Sequence, residues 1–382
     1  MKRAASEIAM RSRFTPRGTL APKAGTVLRS ESVVLVAIIA LLLLSACGGP
    51  TGVERERQIP PAPGSETQVT SAPGRQSRPV ASGQRVVWMD TRLERLAGAD
   101  FFTRTLHDSA ARLTTDEANP EGFAAVSGDR VVWSDRRTAT EGASNNTDVF
   151  LVDALDPGAG ERQLTSDTAP QRDPDISGRW VAWTDRRDGN QDIFAYDLEA
   201  DAEVRITDEV VNQFGPALAG DRLVWLDGRD GGSIRLRNLA TGEQRRLVAD
   251  VDVVGGVDIT GDRVVWAEDS EPGGGTTIRL LDIASGDIQT VASGPVRRLN
   301  PVVSESLVVW EELIGQDSEA TTDQGTTLLL VFDISSGRTM RIPDVVGVPF
   351  GLLTPAVSGR RVVWEDLRPN NSGDIFLFEV AR

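Results

Sequence analysis

The chain has 382 residues with 41 basic and 56 acidic side chains, a net charge of −15, and 40% apolar residues. That balance makes a folded, water-soluble body rather than a disordered chain, and an acidic surface repels phosphate backbones, which argues against a nucleic-acid partner. A single Cys, a single His and a single Tyr leave no internal disulfide and no Cys/His zinc cluster.

Charge is spread unevenly. Residues 1–46 hold seven Lys/Arg and two acids, leaving 34 basic and 54 acidic residues beyond them, a net of −20. Val33–Ala46 is a run of fourteen mostly aliphatic residues behind the basic segment. A bilayer span needs about 20 residues, so the run suits the apolar core of a signal peptide. It ends Leu44-Ser45-Ala46-Cys47-Gly48, with the sole Cys directly after two small residues. This resembles the lipobox of bacterial lipoproteins. The resemblance implies lipid on the Cys47 thiol, with each buried methylene contributing about 0.8 kcal/mol to membrane attachment. The expected organisation is a signal peptide over 1–46 and a flexible Gly/Pro-rich tether over 47–65. The folded body then covers 66–382, exported and held on the extracytoplasmic side of a membrane.

From residue 79 onward the text repeats, and repeats of this length decide the fold. Trp88, Trp133, Trp183, Trp225, Trp266, Trp310 and Trp364 mark seven modules spaced 41 to 54 residues apart; Trp180 is an extra within the third. Each marker ends a short run such as Val86-Val87 or Val131-Val132, β-branched residues that suit a buried strand. A Ser-Gly or similar pair precedes it, as in Ser82-Gly83 and Ser177-Gly178, where Gly supplies the positive φ of a tight hairpin. Pro79, Pro174, Pro216, Pro301 and Pro355 stand ahead of the first strand, where a proline costs no ladder hydrogen bond. A third strand follows, as in Asp192-Ile193-Phe194, and a fourth closes the unit, as in Arg205-Ile206-Thr207.

Four antiparallel strands per module, seven times over, predict an all-β fold, a seven-bladed β-propeller. The seventh module ends after its third strand, while Glu66-Thr67-Gln68-Val69-Thr70 matches the fourth-strand text Glu161-Arg162-Gln163-Leu164-Thr165. A strand at about 67–70 is therefore expected to complete the C-terminal blade and close the ring, removing open edges. Over residues 66–382 the Ser-Gly hairpin, the Val-Val-Trp strand and the Asp-Ile-Phe-x-Tyr-Asp-Leu strand resemble TolB-like propeller repeats, also called WD40-like or PD40 repeats. The resemblance implies the fold. It carries no α/β domain of the TolB kind and no Gly-x-Ser-x-Gly elbow of a propeller peptidase.

Two residues after each marker Trp stands an acid: Asp90, Asp135, Asp185, Asp227, Glu268, Glu312 and Asp366. In five modules an arginine follows two further on: Arg92, Arg137, Arg187, Arg229 and Arg368. Either these brace the strand ends of every blade alike, or they form a polar ring at a channel mouth that meets a charged ligand. Asp188-Gly189-Asn190-Gln191-Asp192 has alternating oxygens but lacks a complete calcium loop and reads as a hairpin turn. His107 reads as a surface residue, and no cofactor, metal or catalytic residue is implied. The longest inserts, Thr138–Thr147, Leu313–Thr326 and Leu367–Gly373, share the face opposite the tight turns and are the expected binding face. The functional expectation is a monomeric binding or assembly module of the cell envelope for a protein, peptide or glycan. The alternatives are a glycan lyase or hydrolase and a structural spacer.

Overall fold

The apolar pair and Trp of each second strand are buried on both faces; Val131, Val132 and Trp133 are all at 0% exposure. A strand apolar on both sides needs a packed layer on each side, and radial stacking of sheets supplies it. The protein is described by a computed structural model over residues 58–382, except 96–97, 141–144, 230, 271–274, 315–325, 346–352 and 369–372. The segment 1–57, with the expected signal peptide and Cys47, lies outside the described residues.

Seven four-stranded antiparallel sheets form the blades. Blade 1 runs Gln76–Ser82, Arg85–Arg95, Gly98–Thr105 and Ala111–Arg112, and blade 3 runs Gln171–Ser177, Trp180–Asp185, Asp192–Asp197 and Ala202–Arg205. Blades 2, 4, 5 and 6 begin at Pro120, Gln213, Val253 and Arg297, and each sheet keeps its strands in sequence order. Consecutive first strands touch all the way round, blade 7 meeting blade 1, so they line the central channel.

Blade 7 takes three strands from the C-terminal segment, Ala356–Ser358, Arg361–Asp366 and Asp374–Val380, and its fourth from Gly64–Gln68. The register runs from Gly64 opposite Val380 to Gln68 opposite Phe376. Val69 and Thr70 continue the contact, both backbone N–H groups donating to the Ile375 carbonyl at 2.7 and 3.3 Å. The closing strand is thus where the repeat predicts it, beginning three residues earlier. Gly64 is suited to this place, since a Cβ there would lie 2.1 Å from the Glu379 carbonyl oxygen.

The tether is shorter than expected at its C-terminal end. Ala62 N–H donates to the Arg341 carbonyl at 2.8 Å and Arg341 N–H to the Pro60 carbonyl at 3.0 Å. Ile59 is buried among Val265, Ile278, Val308 and Trp310 between blades 5 and 6. A Gly/Pro-rich composition does not reveal that one Ile in the stretch finds an apolar slot.

The core is seven cores, one in each gap between blades. In each gap the marker Trp comes from the later blade and packs on the earlier one, as Trp133 does against Val87 and Phe101. The tight turns are two-residue loops with Gly first; Gly83, Gly128, Gly178, Gly220, Gly261 and Gly359 have φ of 54–60°, the type II′ geometry that only Gly adopts freely. The Ser before that Gly ties blades together. Ser82, Ser127, Ser177 and Ser358 Oγ accept from the turn-glycine N–H of the next blade at 2.8–3.1 Å. The third strand ends on an Asp or Asn whose Oδ1 accepts turn N–H groups, as at Asp197, Asn238, Asp282 and Asp333.

Candidate functional site

The residues that recur in every module are engaged inside their blades. In blade 3, Trp183 Nε1 donates to Asp185 Oδ2 at 2.9 Å, and Arg187 donates to both carboxylate oxygens at 3.0 and 2.6 Å. The Arg187 guanidinium lies 4.2 Å from the Phe194 ring centroid, and that ring stacks on Trp183. Blades 1, 2 and 7 repeat the unit with Trp88, Asp90, Arg92 and Phe102; Trp133, Asp135, Arg137 and Phe150; Trp364, Asp366, Arg368 and Phe376. The four carboxylates are at 0–1% exposure. Burial alone would raise the Asp135 carboxyl, but hydrogen bonds from Arg137 and Trp133 hold it below the ordinary carboxylate range. The same four blades carry a clasp between the third and fourth strands: Thr114, Thr165, Thr207 and Thr70 Oγ1 donate to Asp100, Asp148, Asp192 and Asp374 at 2.7–3.1 Å.

Blades 4 to 6 depart from this plan. In blade 4, Asp227 binds Arg229 and Arg235, each at 2.5 Å, while Trp225 Nε1 is buried without a hydrogen-bond partner among the described residues. In blade 5, Glu268 holds the Trp266 indole at 2.9 Å and takes Arg279 at 2.7 Å. In blade 6, Glu312 pairs with the buried Arg298 at 3.0 Å, and Trp310 Nε1 has no hydrogen-bond partner among the described residues. As a ring open to a charged ligand, these carboxylates are therefore badly placed: six of the seven are at 0–1% exposure, four with their oxygens spent on Trp and Arg, and Asp227 and Glu312 paired with arginine.

What faces the channel is a feature that sequence reading missed. Six first strands carry a bulge against their second strand. In each of these six blades a residue within the bulge is left-handed, Arg78, Gly122, Asp173, Gly215, Gly255 and Asn300, and in blade 7 Thr354, just ahead of the first strand, is left-handed too, all with φ between 45° and 84°. Four of these are not glycine and one is β-branched, a strained state that the surrounding structure must hold. The signal was present in the prolines: Pro79, Pro174, Pro216, Pro301 and Pro355 each follow the left-handed residue directly. A proline keeps the strand from pairing at that point and marks the bulge.

Bulges re-aim side chains. Arg78 donates to the Gly122 carbonyl of blade 2 at 2.8 Å and lies 5.3 Å from the Phe123 ring centroid, with Phe123 48% exposed. Glu121 binds Arg136 of its own blade at 2.9 Å and Arg172 of blade 3 at 3.5 Å, and Asp173 beside it is exposed. Glu311 accepts from Asn300 and from the backbone N–H groups of Leu353 and Thr354 at 2.9–3.1 Å, pinning the blade 6 bulge to the left-handed turn ahead of blade 7. Because each first strand begins on the loop face, this arc rims the loop-side mouth of the channel.

Just beyond two bulges stand Asp175 and Asp258. Asp175 Oδ2 accepts from Leu218 N–H of blade 4 at 2.6 Å, and Asp258 Oδ2 from Val303 N–H of blade 6 at 2.7 Å. Each residue keeps some accessible surface, yet protein crowds it on all sides. Burial pushes the Asp175 carboxyl up to about 7 and that of Asp258 to about 6.

The remaining expected sites divide between described and undescribed residues. Asp188 pairs with Arg205 at 3.0 Å, Asp192 accepts from Arg205 and Thr207, and Asn190 donates to the Glu209 carbonyl, so these side chains serve the hairpin itself. His107 is exposed in a turn. Among the described residues no group of three or more His, Cys, Asp and Glu is gathered where it could hold a metal ion. Most of the three long loops, residues 141–144, 315–325 and 369–372, lie outside the described residues.

No family model and no curated protein matches the chain. Solved structures do. A puromycin-hydrolyzing peptidase of Mycobacterium tuberculosis aligns at 15% identity and TM-score 0.58, covering 84% of this chain and 55% of that one. The chain thus spans about half the length of that peptidase. An oligogalacturonate lyase of Vibrio parahaemolyticus aligns at 12% identity and TM-score 0.57, covering 83% of this chain and 94% of that one. TolB of Acinetobacter baumannii aligns at 15% identity and TM-score 0.46 over 80% and 78% of the two chains. At such identities the likeness concerns the fold, a seven-bladed propeller.

Proposed function

We propose that the chain is an exported, lipid-anchored propeller that acts as a binding or assembly module of the bacterial cell envelope, without catalysis. It takes a protein, peptide or glycan at the loop-side mouth of its channel. One observation carries this reading. The charged residues that recur are consumed within their blades, whereas Arg78, Glu121, Phe123, Arg172 and Asp173 stand at bulge positions whose side chains change from blade to blade, Arg78 being matched by Gly122, Asp173, Gly215, Gly255, Asn300 and Thr354. A guanidinium beside an exposed aromatic face suits recognition of carboxylates and planar groups. The anchor reading rests on the apolar run ahead of Cys47. A crosslinked pulldown from envelope membranes tests the first part: Arg78→Ala with Phe123→Ala should lose the partner, and undiminished recovery would count against the channel mouth. Cys47→Ser should move the protein from the membrane to the soluble fraction.

A second reading is an enzyme acting on an acidic glycan. It is favoured by Asp175 and Asp258, two carboxyls beside the channel whose raised pKa values reach the range of a general acid or base. The Vibrio parahaemolyticus lyase, matched over nearly its whole length, is named for oligogalacturonate. Incubating the purified protein with oligogalacturonate separates the readings. New unsaturated chain ends, lost in Asp175→Asn, would establish the enzyme, and the absence of any cleavage would retire it for this substrate.

A further inference from the structure

On the tight-turn face the residue two places after the turn glycine latches each blade to the next turn. Arg85 bonds Asp129 at 2.5 Å, Arg130 the Gly178 carbonyl at 3.2 Å, Arg222 Asp262 at 2.7 Å, and Arg263 the Glu305 carbonyl at 3.1 Å. Trp180 occupies this place in blade 3 and donates to Asp221 at 2.8 Å, which explains the extra tryptophan. Arg361 of blade 7 reaches the Gly83 carbonyl at 3.3 Å. Between blades 6 and 7 the position is Leu307, fully buried and without a donor, and the link to the next turn comes instead from the shorter Ser304, whose Oγ donates to the Gly359 carbonyl at 2.6 Å. There a groove of about 1010 Å³ opens, bordered by Ser306, Ser336, Arg338, Arg360 and Arg361 and by two carboxylates, Asp333 and Glu379, each already paired with one of those arginines.

The charge pattern is inverted at the same place. Where blades 2, 4 and 5 present Asp129, Asp221 and Asp262 in the turn, blade 7 presents Arg360; blade 3 also has an arginine there, Arg179, but it pairs with the exposed Glu199 at 3.2 Å. Arg360 is fixed by the Val380 and Ala381 carbonyls at 3.0 and 2.7 Å and by Asp333 at 2.8 Å. Burial alone would raise the Asp333 carboxyl, but bonds from Ser335, Ser336 and Arg360 hold it far below the usual range, so it stays ionised. Arg361 is held loosely, its bonds to Gly83 and Glu379 at 3.3 and 3.4 Å and its buried Nε without a hydrogen-bond partner among the described residues. Arg338 is exposed and makes no ion pair among the described residues. On a body of net −20, guanidinium donors gathered with serine hydroxyls around one cleft do not follow from composition.

We propose that this groove binds an extended acidic peptide segment, its carboxylates paired with Arg338 and Arg361. Guanidinium groups take carboxylates in bidentate pairs. Among the described residues no aromatic side chain lines the cleft to support a sugar ring. Its volume is at the upper end of the range for small-molecule sites, about 300–1,000 Å³, which leaves room for several residues of chain. The proposal deepens the binding reading by naming a second site and its ligand class, on the face opposite the channel mouth.

Fluorescence polarisation of a labelled hexaglutamate peptide with the purified full-length protein at low salt tests it. Binding should weaken as salt rises, and the exposed charge reversal Arg338→Glu should cut affinity roughly tenfold, the loss of about one charge-assisted hydrogen bond, while Arg338→Lys retains part of it. Arg361→Glu should act in the same direction. Arg78→Ala at the channel mouth should leave hexaglutamate binding unchanged, so failure of one site is distinguishable from failure of the other. Binding unaffected by Arg338→Glu, absence of binding, or preference for a hexagalacturonate competitor over the peptide would each overturn the proposal.

Discussion

Blades 1, 2, 3 and 7 differ from blades 4, 5 and 6 in how they meet the same polar demand. In the first group an indole, a carboxylate, a guanidinium and a phenyl ring form one closed unit, and an Asp–Thr clasp holds the outer strand. In the second group the acid turns to an arginine from another strand, Arg235, Arg279 or Arg298, and two indole N–H groups have no hydrogen-bond partner among the described residues. All seven tryptophans remain buried at 0–1% exposure. Packing of the ring between blades is thus the common requirement, and the polar unit is one of several ways to satisfy an acid buried beside it. The group with the clasp includes the blade closed by Thr70, so the ring is sealed by the same bonds that close an ordinary blade.

The largest test of this division is removal of residues 58–70. Blade 7 would lose its outer strand and the gap between blades 5 and 6 would lose Ile59. Chemical denaturation should then show a much lower midpoint and loss of a single cooperative transition, because an open edge also invites association. A midpoint near that of the intact protein would show that the clasp is ornamental.

Next in size is Asp185→Ala, which leaves Trp183 Nε1 without its acceptor and strips Arg187 of one of its two carboxylate partners. Breaking a buried charge pair typically costs about 3–5 kcal/mol, readable from urea unfolding. A cost below about 1 kcal/mol, the value of an exposed ion pair, would mean that the unit contributes little to blades of the first group.

The carboxyls of Asp175 and Asp258 give a pH signature. Their pKa values are raised on folding, to about 7 and about 6, so the folded state binds more protons than the unfolded chain between the ordinary carboxylate range and those values. Their contribution to stability therefore falls as pH rises from about 4 to about 7 and is flat above that. Replacing both by Asn, which keeps an acceptor for the Leu218 and Val303 N–H groups, should remove that slope and raise stability at pH 8 by the order of a few kcal/mol. An unchanged melting profile against pH would sink the assignment.

The smallest effect compares two tryptophans. Trp183→Phe forfeits a buried hydrogen bond to Asp185, whereas Trp225→Phe removes an N–H that has no partner among the described residues. With the loss of ring volume common to both, the blade 3 variant should cost about 1 kcal/mol more. Equal costs would erase the distinction between the two groups at this position.

Much of this architecture is legible in the text of the chain because strand alternation, hairpin glycine and closing strand are local patterns repeated seven times. Gln68-Val69-Thr70 could be matched to Gln163-Leu164-Thr165 by eye, and Thr70 and Thr165 make the same bonds. The acids after each Trp were legible too, though not their destination, since an arginine partner can sit two residues away, as Arg187 does, or eleven, as Arg279 does. Trp180 read as an oddity because its partner Asp221 belongs to the next blade.

The sequence by itself determined the number of blades, their strand order and the strand that closes the ring, since each depends on hydrophobic period and turn chemistry within some 45 residues. Only the tertiary structure decided which carboxylates are spent and which face the channel. It also set the left-handed residues around the rim and opened a groove beside blades 6 and 7, where Leu307 replaces the Arg or Trp of the other blades and Ser304 makes the link to the next turn. Those outcomes depend on contacts between neighbouring blades, and a shorter donor in one turn has a consequence only when the next turn is packed against it.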